Sequence, residues 1–498
     1  MNKEVLWKNK WIFILAAVWS AAWLANLWKF PYLVYDNWGA SFIIVYLILL
    51  FLIWLSLLIW ELALGQMTRK AAVESFWSIS KYFRWLWWFT VFWAFTILTY
   101  YVVVIGWGMD YLYYSLSSLT TNTLPWAWNS WDFFFWNVLW ITDSGWKVGS
   151  ISIPVLIWTF TSLILMYFFT FKSAKSVWKV VLFTATIPFI TLIILALKAI
   201  TLEWSWLGLA YLTNIDVSKL TDISVWVAAG WQIFFTLSVA MWVMIAYWAM
   251  KKEDSEIVKS TILVALWNTF VSFLSAIAVF WTLWYLAQFK WVPVSEVVKW
   301  WPSLVFVTIP EILTHFWVLS ATFSVLFFLT IFLLAVDSAM SLIEAVVKPI
   351  ADKFESQKTE TLTLFFVILI WLFSITYIFG NWLYVLDVVD HYITQFGMLL
   401  IWIFELILFV YFSKKLWSFI DKHNKCFWKK LINKYFFLTS WILAIWLLIF
   451  LFVKNIWAWL LVYDSYDKTF LIYYWLGPII VMLIVSVLLN MLELNTKK

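Results

Sequence analysis

Long apolar stretches repeat along the whole chain, and they constrain its fold more than any other feature. Their centres lie near residues 20, 52, 98, 160, 188, 238, 272, 332, 368, 400, 445 and 480. A helix needs about 20 consecutive apolar residues to cross the hydrocarbon core of a bilayer, whereas the strands of an outer-membrane barrel are shorter and alternate in polarity. None of the stretches alternates in this way. The sequence therefore predicts an all-α membrane protein with about 12 transmembrane helices in contact with the lipid bilayer.

The composition and the distribution of charge agree with this prediction. Hydrophobic residues make up 65% of the 498 positions and charged residues only 12%, which is too little polar surface to coat a soluble globule. Most of the 33 Lys and Arg residues fall in alternate loops and near the two termini. Because cytoplasmic loops retain positive charge, we expect a multi-pass protein of a prokaryotic plasma membrane with both termini in the cytoplasm. The net charge of +6 then needs no nucleic-acid partner.

The sequence does not indicate enzymatic or redox chemistry. With a single cysteine, Cys426, the chain has neither an internal disulfide nor a cysteine-based metal site. The histidines at 315, 391 and 423 are scattered, and no nucleophile–base pair or phosphate-binding loop accompanies them. We therefore expect neither an enzyme nor an organic cofactor, and the oligomeric state stays open.

The ratio of tryptophan to glycine is anomalous. The chain has 45 Trp and 11 Gly, although Gly averages about 7% of residues in proteins. Trp38 precedes Gly39 in a predicted loop and Trp231 follows Gly230, and such positions favour glycine. We interpret many Trp as glycines of the living protein, arising where UGA, which the organism reads as Gly, has been translated as Trp. The alternative is a chain in which every Trp is literal.

Polar residues interrupt two of the apolar stretches. Asn26 and Lys29 lie within the first stretch, and Gln232, Thr236 and Ser238 lie within the sixth. Polar groups at membrane depth are costly and usually mark a binding site or an ion pathway. Two discontinuous helices in corresponding positions of an inverted repeat would place them at the bilayer midplane. The alternative is hydrogen bonding between neighbouring helices.

The motif around Asn26 resembles that of a known family. The segment Trp19-Ser-Ala-Ala-Trp-Leu-Ala-Asn-Leu-Trp-Lys-Phe-Pro-Tyr32 precedes Asn37-Trp-Gly-Ala-Ser-Phe42. It resembles the first-helix signature of the neurotransmitter:sodium symporters, G-S-A-V-G-L-G-N-x-W-R-F-P-Y followed by N-G-G-G-A-F. Trp19, Trp23 and Trp38 stand where that family has Gly, whereas Trp28 stands where it has Trp, as recoding of some Trp would explain.

Three further blocks extend the resemblance over nearly the whole chain. They are Glu61-Leu-Ala-Leu-Gly-Gln66, Gln232-Ile-Phe-Phe-Thr-Leu-Ser238 and Trp300-Trp-Pro-Ser-Leu-Val-Phe-Val-Thr-Ile-Pro310. The resemblance implies one transporter domain over residues 1–498, with a 5+5 inverted repeat at about 11–200 and 224–412 and extra helices at about 434–494. It also implies that the first and sixth helices are discontinuous.

The resemblance implies two sodium sites. The ligands of the first are the Ala21 carbonyl, Asn26, Thr236, Asn268 and the carboxylate of the substrate. The ligands of the second are the carbonyls of Trp19, Ala22 and Leu334 together with Asp337 and Ser338. Neutral oxygens and one carboxylate suit a hard cation. The alternative for Asp337 is a protonated, neutral side chain.

A substrate pocket follows from the same resemblance. The backbone at Leu24 and Ala25 would receive a carboxylate, and the Tyr101 hydroxyl would donate to it. The other implied pocket residues are Ala21, Ile97, Phe235, Thr236, Ser238, Met241, Ser338 and Leu342. Monoamine carriers of the family have Asp at the position of Trp23, whereas amino-acid carriers have Gly. A mainly apolar pocket predicts a neutral, hydrophobic amino acid as substrate.

Chloride and the gates complete the implied site. Members that do not need chloride tend to have an acidic residue where this chain has Ser272, so the resemblance leaves chloride dependence open. The implied chloride ligands are Tyr46, Gln232, Thr236 and Ser272, and the alternative is an ordinary hydrogen-bonded serine. Lys29 and Asp390 match the outer gate and Asp352 the inner gate.

The function implied by these sites is sodium-coupled symport of an amino acid by alternating access. The alternatives are an amino-acid sensor that does not transport and an inactive transporter-like protein.

Overall fold

The computed structural model of the protein describes most of the chain. The described residues are 24–27, 29–69, 75, 84–121, 123–171, 174–237, 239, 243–249, 256–298, 301–316, 319–353, 359–423, 433–459, 463 and 466–495. Regular structure within them is helical apart from one isolated antiparallel bridge between Ile151 and Phe379.

The main helices are numbered in the order in which they follow one another along the chain. They are α1 (Leu24–Leu27), α2 (Lys29–Asp36), α3 (Ala40–Thr68), α4 (Arg84–Thr121), α5 (Ile153–Thr170), α6 (Ala174–Ile200), α7 (Ser205–Thr213), α8 (Ile223–Leu237), α9 (Val243–Ala249), α10 (Ile257–Lys290), α11 (Leu304–Thr314), α12 (Ser320–Lys353), α13 (Thr359–Ser374), α14 (Trp382–Tyr392), α15 (Met398–His423), α16 (Lys434–Trp459) and α17 (Gly477–Asn495).

Seven helices in the described ranges are long and apolar enough to cross a membrane. The number rises to eight when α6 and α7, which are bent by 108° at their junction, are counted as one broken span. Four shorter apolar helices, of 10 to 17 residues, accompany them. The structure therefore confirms an all-helical protein with several membrane spans, and the count of about 12 predicted from the sequence remains an expectation.

The predicted interruptions of the first and sixth helices lie largely outside the described residues. Of the first apolar stretch the structure describes α1 and α2, on either side of position 28. The sixth stretch comprises α8, which ends at Leu237, and α9, which begins at Val243. Val239 is the one described residue between these two helices.

Two long helices form the centre of the bundle. In the most apolar part of α4 and of α12, 83% of the residues are buried, against 22% in α13. The two central helices pack against each other, and α6 packs against both α12 and α10. On α13, apolar side chains such as Phe365 and Ile368 are exposed, as expected for a helix at the lipid-facing surface of a membrane protein.

Several tryptophans have a backbone conformation that favours glycine. Among the described residues, the non-glycine positions with positive φ are Trp38 (68°), Arg69 (58°), Trp140 (56°), Trp204 (59°) and Trp291 (57°). The left-handed region is uncommon for residues with a side chain, and for bulky ones it is an outlier. At the four tryptophan positions among these five, glycine would remove the steric cost of a bulky side chain.

Candidate functional site

Four buried polar side chains from three helices meet beside α1. The amide Nδ2 of Asn26 donates to Oδ1 of Asn268 and to Oγ of Ser272, both at 2.9 Å. The amide Nδ2 of Asn268 in turn donates to Oγ1 of Thr236 at 2.8 Å. All four residues are at most 1% exposed. This Asn26 cluster therefore joins α1, α8 and α10 by a chain of side-chain hydrogen bonds.

One oxygen of the Asn26 cluster has no hydrogen-bond partner in the part of the chain that the structure describes. Oδ1 of Asn26 is buried and accepts no hydrogen bond from any described group. An orphaned buried carbonyl costs free energy of about 1–3 kcal/mol, and buried polar groups in proteins are generally paired. A cation bound to this oxygen would satisfy it, because neutral amide and hydroxyl oxygens are ligands that hard cations accept.

A buried carboxylate forms the second polar centre. Asp337 in α12 is 3% exposed, and its Oδ1 accepts a hydrogen bond of 2.6 Å from the Thr184 hydroxyl of α6. Its Oδ2 is buried and has no partner among the described residues. One helical turn earlier, the carbonyl of Leu334 accepts a hydrogen bond of 3.1 Å from the Ser338 hydroxyl. The structure thus brings Leu334, Asp337 and Ser338 together on one helix.

Of the residues predicted as chloride ligands, Ser272 and Thr236 belong to the Asn26 cluster, whereas Tyr46 and Gln232 have no hydrogen bond to it within the described ranges. The Ser272 hydroxyl also donates to the Asn268 carbonyl at 3.2 Å. The Tyr46 hydroxyl lies 3.4 Å from Oγ1 of Thr269, the residue that follows Asn268. Gln232 is fully buried, and neither end of its amide has a partner among the described residues. A bound anion or water molecule could accept a hydrogen bond from this buried amide and satisfy it.

The described part of the predicted substrate pocket is buried and largely apolar. Ile97 and Tyr101 of α4 are 4% and 7% exposed, and Ser338 and Leu342 of α12 are fully buried. Helix α1 packs against α8, α10 and α12. The predicted pocket residues of α8 and α12 therefore belong to helices that contact α1.

Asp390, predicted at the outer gate, accepts a hydrogen bond from α4 and lies in the electrostatic field of Lys29. The Tyr100 hydroxyl donates to its Oδ1 at 2.8 Å, and Lys29 is the positive charge that acts on its carboxylate. Tyr100 precedes Tyr101, which the resemblance places in the substrate pocket. The residue that contacts the predicted outer gate is therefore adjacent on α4 to a predicted pocket residue.

Some predicted site residues lack a described side chain. Trp19, Ala21, Ala22, Ser238 and Met241 lie outside the described residues. Leu24, Ala25, Phe235 and Asp352 lie in helices whose backbone alone is described at these positions. The predictions for these nine residues remain predictions.

Three residues of the site were not found from the sequence. They are Thr184, Tyr100 and Thr269, which contact Asp337, Asp390 and Tyr46 respectively. Each is separated from its partner by more than 150 residues, and a single hydroxyl in an apolar stretch carries no local signal of such a contact.

Comparison with known proteins identifies the family. The sequence model of the Sodium:neurotransmitter symporter family matches residues 4–132 and 127–495. The chain belongs to this family. As a member of the sodium:neurotransmitter symporters it is a sodium-dependent membrane transporter and not an enzyme.

Its relatives include sodium-dependent transporters from Methanocaldococcus jannaschii and from mammals. An uncharacterized sodium-dependent transporter of Methanocaldococcus jannaschii is 32% identical over 412 residues, which is 81% of each chain. The sodium-dependent dopamine transporter of Bos taurus is 32% identical over 451 residues, 83% of this symporter and 64% of the relative. The sodium- and chloride-dependent GABA transporter 2 of Mus musculus is 28% identical over 431 residues, 80% of this chain and 71% of the relative.

Proposed function

We propose that the protein is a sodium-coupled symporter of a neutral, hydrophobic amino acid that works by alternating access. The observation that carries the proposal is the Asn26 cluster: Oδ1 of Asn26 is buried without a partner among the described residues, while Nδ2 of the same amide donates to Asn268, which donates to Thr236. In a sodium-dependent transporter, such an oxygen is suited to hold the coupling ion.

At the first sodium site, Asn26, Asn268 and Thr236 would supply side-chain oxygens and the Ala21 carbonyl a backbone oxygen. The substrate's carboxylate would be the remaining ligand. Neutral protein ligands leave the charge of the ion uncompensated, so that a negatively charged substrate group gains the full Coulomb attraction. Sodium and amino acid would then bind together because each neutralises the other.

At the second sodium site, the charge would come from the protein. Oδ2 of Asp337 is the open oxygen, and the carbonyls of Trp19, Ala22 and Leu334 with the hydroxyl of Ser338 would complete the shell. An isolated buried carboxylate is very costly in a low-dielectric interior, and a bound cation offsets this cost. This site would stabilise a conformation of the bundle without touching the substrate.

An amino acid fits the pocket better than an amine such as dopamine, which the name of one relative gives as its substrate. Position 23 holds Trp and no carboxylate that would bind an amine. The described pocket side chains Ile97 and Leu342 are buried and apolar. The backbone at Leu24 and Ala25 with the Tyr101 hydroxyl would hold the carboxylate, and Phe235, Ser238 and Met241 would surround the side chain.

Alternating access would use the remaining features of the site. Lys29 and Asp390 would close the outer side and Asp352 the inner side, within about 12 membrane spans that include the inverted repeat and the discontinuous first and sixth helices. Both termini would face the cytoplasm of a prokaryotic cell, by the positive-inside rule.

Recoding of tryptophan belongs to this proposal. The positions with a left-handed backbone at 38, 140, 204 and 291 and the family's glycine positions at 19 and 23 would hold glycine in the living protein. We refer to the protein translated with Gly at every UGA codon as the glycine form.

Uptake into vesicles tests the proposed function. In proteoliposomes holding the glycine form, an inward sodium gradient should drive accumulation of at least one radiolabelled neutral amino acid from a panel of twenty. Replacement of external sodium by choline should remove that accumulation, because the first site would lack its ion. Binding of an amino acid without accumulation would favour the sensor, and absence of both would favour an inactive protein.

Chloride dependence has a separate test. Replacement of chloride by gluconate should reduce uptake by the unmodified glycine form, whereas Ser272→Glu should transport equally well in both anions. The glutamate would supply beside Asn26 the fixed negative charge that chloride otherwise provides. Ser275→Glu, one turn further along α10 at another buried serine, serves as the matched control. If replacement of chloride by gluconate leaves uptake by the unmodified glycine form unchanged, the anion site does not exist.

A further inference from the structure

The Asp337 carboxylate has one described hydrogen-bond donor, and it comes from a neighbouring helix. Thr184 of α6 is 3% exposed and donates its hydroxyl to Oδ1 of Asp337 at 2.6 Å. Two further hydrogen bonds near Asp337 lie within α12, from Ser338 to the Leu334 carbonyl and from Ser341 to the Asp337 carbonyl. The orientation of this carboxylate is therefore tied to α6.

A second hydroxyl contact joins the same two helices. Thr191 and Thr330 form a buried hydrogen bond between α6 and α12. Thr191 lies seven residues after Thr184, and Thr330 lies seven residues before Asp337. Seven residues of helix rise about 10 Å, so the two helices run antiparallel with hydroxyl contacts two turns apart. The Thr191 contact involves no carboxylate.

We propose that Thr184 is a positioning residue for sodium, which holds Oδ1 of Asp337 so that Oδ2 stays available to the ion. The inference rests on the proposed function, in which Asp337 is a sodium ligand. Thr184 itself does not bind the ion. Its hydroxyl fixes the rotamer of the carboxylate, and it stabilises the charged form that a cation requires.

The physical reason lies in the two oxygens of one carboxylate. A hydrogen bond to an ionised group is roughly twice as strong as one between neutral groups. Without the Thr184 donor, neither oxygen would have a hydrogen-bond partner among the described residues, and the side chain would become free to rotate or to take up a proton. Sodium would then have to order the carboxylate as well as bind it, which lowers the affinity for the ion.

The test compares two threonine-to-valine substitutions on α6, each introduced into the glycine form. Thr184→Val keeps the shape of the side chain and removes its hydroxyl, and Thr191→Val makes the same change two turns away. For Thr184→Val we expect the sodium concentration for half-maximal uptake to rise about tenfold, the equivalent of about 1.4 kcal/mol. For Thr191→Val and for Thr184→Ser, which retains the hydroxyl, we expect a change of less than about twofold.

Two further readouts separate positioning from a general structural role. The amino-acid concentration for half-maximal uptake at saturating sodium should be the same in all variants, because the substrate pocket is untouched. Sodium-22 binding to purified protein gives the same comparison without transport, and Thr184→Ala replaces the valine variant if that variant does not accumulate. Equal sodium dependence of the Thr184 and Thr191 variants would overturn the inference. Sodium coupling that survives Asp337→Asn would instead overturn the second site of the proposed function.

Discussion

Asp337→Asn, introduced into the glycine form, should lower the apparent affinity for sodium by more than about 100-fold and abolish uptake at ordinary sodium concentrations. The substitution keeps the size of the side chain and removes the charge that would face the ion. A pair of unit charges about 4 Å apart is worth about 4 kcal/mol at the effective dielectric constant of a protein, and every 1.4 kcal/mol is about tenfold in affinity. Uptake at a series of sodium concentrations measures the effect.

An exposed carboxylate supplies the control for this experiment. Asp143 lies in the loop before α5, where its side chain is 78% exposed and pairs with Lys147 at 3.2 Å. Exposed ion pairs contribute about 0–1 kcal/mol, so Asp143→Asn should transport as the unmodified protein does. A normal sodium dependence of Asp337→Asn would remove that residue from the second sodium site.

The second large effect concerns the two translations of the gene. The glycine form should fold, whereas the form with Trp at 38, 140, 204 and 291 should unfold at a much lower temperature or fail to accumulate. A non-glycine residue in the left-handed region costs about 1–3 kcal/mol, and folded proteins are stable by only about 5–15 kcal/mol. Four such positions would therefore remove a large part of the free energy of unfolding. The thermal unfolding temperatures of the two purified forms in one detergent measure the difference.

Peptide mass spectrometry of the natural protein checks the same point directly. In the peptides that contain positions 38, 140, 204 and 291, the residue at each of these positions should have the mass of glycine. Position 126 should have the mass of tryptophan, because the buried indole of Trp126 donates to the Pro310 carbonyl at 3.1 Å, a bond that glycine has no donor to make. Tryptophan at all of the left-handed positions would refute the recoding.

The Asn26 cluster shows how far the sequence alone reaches. Asn26, Thr236 and Asn268 come from three distant stretches, and the family motif was needed to place them in one site. The structure brings the three side chains into hydrogen-bonding contact. For Tyr46 the same reasoning was less informative, because its hydroxyl lies beside Thr269, whose role no motif indicated. Motifs predict which residues converge, but the order of their hydrogen bonds depends on side-chain packing.

The remaining features could not be predicted from local patterns. The turn at Trp38 was recognisable because Asn37 and Gly39 flank it, whereas Trp140, Trp204 and Trp291 have no comparable neighbours. Thr184 lies in an apolar helix 153 positions before Asp337. A contact between distant helices is set by their packing, and hydrophobic periodicity does not contain that information.

Coupled flux of sodium-22 tests symport most directly. In proteoliposomes with equal sodium on both sides and a trace of sodium-22 outside, an inward gradient of the transported amino acid should drive transient accumulation of the isotope. Coupling is reciprocal, so an amino acid whose uptake is driven by sodium must itself drive sodium. Isotope that equilibrates at the same level with and without the amino-acid gradient would contradict the account, since the protein would then bind or sense its ligand without coupled transport.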